Sequence, residues 1–115
     1  MLSRKYRIAD NIYFNRLFQK GNSRSCPLFY LKFLSNNLPY SRFGFIVGVK
    51  LFKEAVKRNR VKRLMREVIR LNFSKICDGY DIIIGAKSNK LYGMKYREVE
   101  KLLLAIFSNN NFLKE

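Results

Sequence analysis

The sequence predicts a single α+β domain, an α-β sandwich spanning residues 1–115 with elements in the order α-β-β-α-β-α. Three observations carry that prediction. A length of 115 residues suits one hydrophobic core. Hydrophobic residues make up 48% of the chain and aromatic ones 15%, enough to fill that core and too many for a disordered basic tail. Apolar spacing also switches along the chain between a helical period and strand alternation, as layered helices and strands require.

Residues 1–8 form a basic N-terminal extension. It ends at Ala9 and Asp10, where Asp10 can cap a first helix. Ile12, Tyr13, Phe14, Leu17 and Phe18 then recur at helical spacing, and Gly21 stops the run as a C′ residue. Phe14 and Phe18, four apart, share a face. Residues 28–34 alternate as a strand, with Phe29, Leu31 and Phe33 on one side and Leu28, Tyr30, Lys32 and Leu34 on the other. Asn36, Asn37, Leu38 and Pro39 signal a turn. The second strand covers 42–49, and its glycines, Gly44 and Gly48, allow a bulge or a close backbone approach.

From residue 53 to about 76 no Gly or Pro interrupts a helical pattern. Asp78 and Gly79 turn the chain into a third strand, 80–86, whose Ile82, Ile83 and Ile84 suit a position covered on both faces. Residues 88–93 read as a loop. Tyr96, Val99, Leu102, Leu103, Ile106 and Phe107 make the apolar stripe of a last helix, which Asn109, Asn110 and Asn111 close; residues 108–115 are the tail. The sheet therefore joins a hairpin to a strand that returns after a helix.

Composition narrows the function. Lys and Arg number 24 against 8 Asp and Glu, a net charge of +16. Confining that charge to one small domain costs stability unless a polyanion compensates, so nucleic acid is the leading partner and an anionic membrane surface the second. There is no histidine. That removes Ser/His and Cys/His dyads, His-based acid–base chemistry and imidazole metal ligation. Cys26 and Cys77 are too few and too far apart for a zinc site; parity alone allows a disulfide between them, and free thiols of a reducing cytosol are the main expectation. No stretch approaches the ~20 apolar residues that span a bilayer, and a soluble cytoplasmic protein is expected.

The charge is concentrated. Residues 50–70 hold nine basic side chains against two acidic ones, a net +7 in 21 residues. On a helix, Val61, Leu64, Val68 and Leu71 share an inner stripe with Met65 at its edge, while Asn59, Lys62, Arg63, Arg66 and Arg70 lie opposite. Arg58 and Arg60 project from the flanks. A solvated face ordinarily mixes signs; this one is nearly all cationic and self-repelling, which points to a ligand that neutralises it. Arginine forks suit bidentate phosphate contact, so the expected ligand is nucleic acid.

The string AVKRNRVKRLMRE at residues 55–67 closely resembles the signature helix of the bacterial ribonuclease P protein subunit, with its Arg58-Asn59-Arg60 core. FNRLFQKG at 14–21 is similar to that family's first helix, and YDIIIGAK at 80–87 to its last strand. The resemblance implies a left-handed crossover between parallel strands, which periodicity could not supply because most such crossovers are right-handed. It implies that the chain binds a large catalytic RNA, which with Mg²⁺ hydrolyses precursor tRNA to release the 5′ leader. The protein then carries no catalytic residue and no evident metal ligand of its own.

By the same carry-over, Arg58, Asn59, Arg60, Lys62, Arg63 and Arg66 match the RNA-facing helix, and Lys57 and Arg70, basic neighbours in the same window, are expected to bind RNA with them. Phe14, Phe18, Tyr30, Lys32 and Lys87 match a cleft for the single-stranded leader. Stacking on exposed aromatics tolerates sequence variety, as many leaders require; core packing is the alternative for Phe14 and Phe18. The chain departs from the family around Lys50 and Lys53, where a Lys-Lys pair and a glycine are usual. Two other classes share the charge: a free-standing basic RNA-binding module, such as a ribosomal or architectural protein, and a protein-only nuclease.

Overall fold

In the computed structural model, which describes residues 2–8 and 10–114, four strands form one sheet. Met1, Ala9 and Glu115, at the ends of the expected extension and tail, lie outside the described residues. The strands are β1 (Asn22–Ser25), β2 (Phe29–Ser35), β3 (Arg42–Ile46) and β4 (Tyr80–Ala86), in the spatial order β1-β2-β4-β3. β2 runs antiparallel to both β1 and β4, whereas β3 and β4 are parallel neighbours. A parallel pair needs a long crossover, and α2 (Ala55–Leu71) supplies it. Helices α1 (Asn11–Lys20) and α3 (Tyr96–Asn109) complete the order α-β-β-β-α-β-α.

The additional strand is β1. Its sequence is Asn-Ser-Arg-Ser and all four residues are exposed, so it carries no apolar alternation to announce it. Other boundaries shift: the helix expected from 53 to about 76 spans Ala55–Leu71, with Phe73–Lys75 a separate 3-10 turn. β3 ends at Ile46 rather than 49, and 89–93 form a 3-10 turn rather than an open loop. Gly21 closes α1, but in an extended conformation (φ −68°) and not as a left-handed C′ residue. Space explains the glycine there: a Cβ would stand 2.6 Å from the Leu17 carbonyl oxygen.

Strand alternation divides the sheet into two faces. On one, Phe29, Leu31, Phe43, Ile82, Ile84 and Ala86 pack with Val61, Met65, Val68 and Ile69 of α2 and Val99, Leu103, Ile106 and Phe107 of α3. Burying each large side chain contributes roughly 1.5–3 kcal/mol. The buried stripe of α2 is therefore rotated from the one expected. Ile69 is fully buried, and Leu71 is 54% exposed. α1 lies on the other face, with Leu17 and Ile83 wholly buried beneath it.

Residues 2–8 and the segment around Phe112 dock onto the domain. Leu2 is buried, Tyr6 stacks on Phe73 with ring centroids 4.3 Å apart, and the Ile8 N–H donates to the Phe43 carbonyl at 2.9 Å, which covers the β3 edge. At the other end Phe112 is buried, and the Cys77 N–H donates to its carbonyl at 2.7 Å. Cys26 and Cys77 are free thiols, each half-buried. Among the described residues no helix is long and apolar enough to cross a membrane.

Candidate nucleic-acid interface

α2 brings the expected cations together, but not on equal terms. Arg63 and Asn59 are exposed, and Lys62 and Arg66 are half-buried on the flank beside β3. Arg58 folds back: its Nη1 donates to the carbonyls of Phe52 and Lys53, both at 2.8 Å, and so braces the turn that leads into the helix. Arg70 pairs with Glu67 one turn earlier. Lys57 lies 3.5 Å from Glu54, and both Lys57 and Arg60 approach the Tyr92 ring. Arg60, Lys62, Arg63 and Arg66 therefore form the cationic surface least committed to acidic partners within the chain.

The other sheet face carries the aromatic group. Phe14 rests on Gly44, where a Cβ would stand 2.5 Å from its ring. Tyr30 covers Gly85, where a Cβ would stand only 1.9 Å from its Cζ. Phe18, 38% exposed, meets Tyr30 edge to face at 6.3 Å, and Lys32 Nζ stands 5.4 Å from the Phe18 ring. The two glycines thus leave room for the Phe14 and Tyr30 rings to come close to the sheet. Burial raises the Tyr30 hydroxyl above its ordinary pKa. Lys87 follows β4 at the Gly85 end; its backbone N–H donates to the Leu28 carbonyl at 2.9 Å and its side chain is exposed. All five expected cleft residues therefore share the α1 side of the sheet or its rim.

A buried carboxylate fixes α1 over this floor. Asp81 on β4 is fully buried. It accepts from Arg42 Nε at 2.9 Å and Nη2 at 2.6 Å, from Asn36 Nδ2 at 2.9 Å and from the Tyr13 hydroxyl at 2.6 Å. Burial by itself would raise the Asp81 carboxyl, but the bonds from Arg42, Asn36 and Tyr13 outweigh it and hold the group below the ordinary carboxylate range. Burial and the Asp81 bond push Tyr13 up to about 12. Nothing in the sequence pattern marked Asp81, since a lone acid within an isoleucine strand looks like an interruption.

The two surfaces meet at the β3 edge. A hollow of about 230 Å³ there is lined by Phe14 and Gly44 from the α1 side, Lys62 and Arg66 from α2, and Arg7 from the N-terminal segment. Arg66 also stands 5.8 Å from the Phe45 ring. The Nε atoms of Arg7 and Arg66 are buried and meet no acceptor among the described residues. Arg7 and Phe45 are the additions that the structure makes to this surface. Arg7 read only as part of a charged extension, and Phe45 only as part of the second strand. No group of three or more Cys, Asp and Glu among the described residues is placed to hold a metal ion.

Known proteins match the chain over most of its length. The sequence profile of the family described as Ribonuclease P matches residues 2–110. The ribonuclease P protein component of Fusobacterium nucleatum is 44% identical over 109 residues, covering 92% of this chain and 97% of its own. That of Alkaliphilus metalliredigens is 40% identical over 98 residues, 85% and 86% of the two chains. Among solved structures, the Staphylococcus aureus RNase P protein superposes with a TM-score of 0.81 at 29% identity, covering 95% of this chain and 98% of that one. The Thermotoga maritima protein gives 0.76 at 30% identity, over 87% and 94%.

Proposed function

Because the chain belongs to the ribonuclease P protein family, and with it to RNA binding and tRNA processing, we propose that it joins two RNAs across the β3 edge. The catalytic RNA of that ribonucleoprotein lies along α2, against Lys57, Arg58, Asn59, Arg60, Lys62, Arg63, Arg66 and Arg70. The single-stranded 5′ leader of precursor tRNA crosses the floor formed by Phe14, Phe18, Tyr30 and Lys32 toward Lys87. In this reading the RNA, with its Mg²⁺, hydrolyses the phosphodiester, and the chain binds and orients.

One observation supports this above the others: the hollow at the β3 edge is walled by Phe14 on one side and by Lys62 and Arg66 on the other. A strand leaving the aromatic floor reaches the cationic helix without crossing the body of the domain. Arg66 brings a donor that lacks an acceptor, which bidentate phosphate contact would satisfy.

Replacing Arg63 and Arg66 by Glu should lower affinity for the catalytic RNA on the order of a hundredfold. It should also flatten the dependence of log affinity on log salt by about two, one unit per lost phosphate contact. Unchanged affinity and slope would refute the α2 assignment. Phe14→Ala should weaken precursor tRNA more than mature tRNA in the reconstituted complex, and equal losses would return Phe14 to the core. Cleavage at low Mg²⁺ should require both the chain and the RNA.

A further inference from the structure

Tyr92 stands on the 3-10 turn Asn89–Gly93, across α2 from the aromatic floor. The fully buried Leu91 anchors that turn, and Ser88 Oγ accepts from the Lys90 N–H at 3.2 Å. Lys57 Nζ lies 5.4 Å and Arg60 Cζ 5.3 Å from the Tyr92 ring centre, and the Phe52 ring packs 5.9 Å away. The ring separates two hollows. The larger, about 1140 Å³, has Asn59, Arg60, Arg63 and Lys95 in its walls. The smaller, about 530 Å³, has Lys53, Lys57 and Lys90. The acidic side chain in each wall, Glu67 or Glu54, is already paired with a cation of α2, so neither hollow repels an anion.

We propose that Tyr92 is a stacking platform for an unpaired base of the RNA that lies along α2, with its flanking phosphates held by Arg60 and Lys95 on one side and by Lys57 and Lys90 on the other. This rests on the assignment of α2 to the catalytic RNA and adds a contact that the charge pattern alone does not specify. An aromatic ring between cations suits a nucleotide, because the base takes the ring face while its phosphates take the charges. The larger hollow exceeds the volume that a single small ligand commonly occupies, which fits a segment of strand. The base belongs to the catalytic RNA and not to the leader, because the leader floor is on the opposite face of the sheet.

The chain contains no tryptophan, so Tyr92→Trp introduces a single emitter at the platform. Saturating ribonuclease P RNA alone should quench that emission. Tyr92→Leu should bind the same RNA about tenfold more weakly with an unchanged salt slope, because stacking releases no counterions. Tyr92→Phe should bind as the parent does. Unaltered emission with RNA bound, quenching that appears only when precursor tRNA is added, or parental affinity in Tyr92→Leu would each overturn the proposal. If the Leu variant fails to fold, the Trp emission still decides. Loss of binding in the Arg63→Glu, Arg66→Glu double variant beside silent Tyr92 variants would sink the platform alone. Silence in both would sink the assignment of α2 itself.

Discussion

A hydrogen atom in place of a side chain decides the leader floor at two positions. Tyr30 occupies the space above Gly85 and Phe14 the space above Gly44, and neither ring could approach its strand so closely if a Cβ stood there. Gly48, in contrast, has nothing within 4 Å of where its Cβ would be. Gly85→Ala should therefore lift Tyr30, cost about 1–3 kcal/mol of stability by overpacking, and reduce the preference for precursor over mature tRNA. Gly48→Ala should stay within about 0.5 kcal/mol of the parent. Chemical denaturation and paired binding titrations check both. An equal effect at the two glycines would mean that the floor has no special need for them. The same scale separates the arginines: Arg58 places a terminal nitrogen on the backbone before α2, whereas Arg63 forms no ion pair among the described residues.

At the scale of elements, α1 is positioned by one carboxylate. Asp81 joins β4 to Arg42 of β3, to Asn36 of the turn and to Tyr13 of α1. Its folded pKa lies below that of the unfolded chain, so its contribution is present above the unfolded carboxylate value near 3.9 and fades as pH falls below it. Tyr13 has the opposite sign. Raised to about 12, it supports the fold below its unfolded value near 10 and loses that support as pH climbs through the folded value. A stability profile should thus fall at both edges, and Tyr13→Phe should remove the alkaline shoulder arising from this bond while sparing most of the acid one. Asp81→Asn should cost about 3 kcal/mol, because it leaves Arg42 half-buried without its counter-charge. Acid stability in Asp81→Asn equal to the parent's would show that the network does not govern α1. Elements with strong periods, such as β4 and α3, were legible in the chain because a long apolar pattern fixes where they start and stop. β1 was not, since Asn22–Ser25 presents only exposed polar side chains and is a strand solely by pairing with β2. The α2 stripe was read about a fifth of a turn away from its true position, because Leu71 looks as apolar as Ile69 and only packing against the sheet chooses between them. The candidate site divides in the same way: local charge revealed α2, while the buried carboxylate and the second glycine seat depend on contacts between distant segments.

For the whole molecule, the decisive quantity is a charge of +16 within extents of 36 × 32 × 25 Å. Four ion pairs are formed among the described residues, so most of the 24 cations have no carboxylate partner among those residues. At about 0.01 M salt the screening length of roughly 30 Å spans the protein, and every cation feels the rest; at about 0.15 M it shrinks to roughly 8 Å and only neighbours interact. Salt therefore acts with opposite signs on the two properties of this protein. Relieving self-repulsion should raise the melting temperature of the free chain by several degrees between those conditions, at about 4 °C or more per kcal/mol for a domain of this size. Screening and the loss of counterion release should weaken RNA binding over the same range. Thermal melts and RNA titrations in a shared chloride series test the pair. A melting temperature that stays flat while affinity falls would place the repulsion in the unfolded chain as much as in the folded one. Arg63→Glu, which removes a cation from the densest patch and adds an anion, should stabilise the free chain at low salt while weakening the complex. That reversal distinguishes a surface shaped for a polyanion from one that is merely basic.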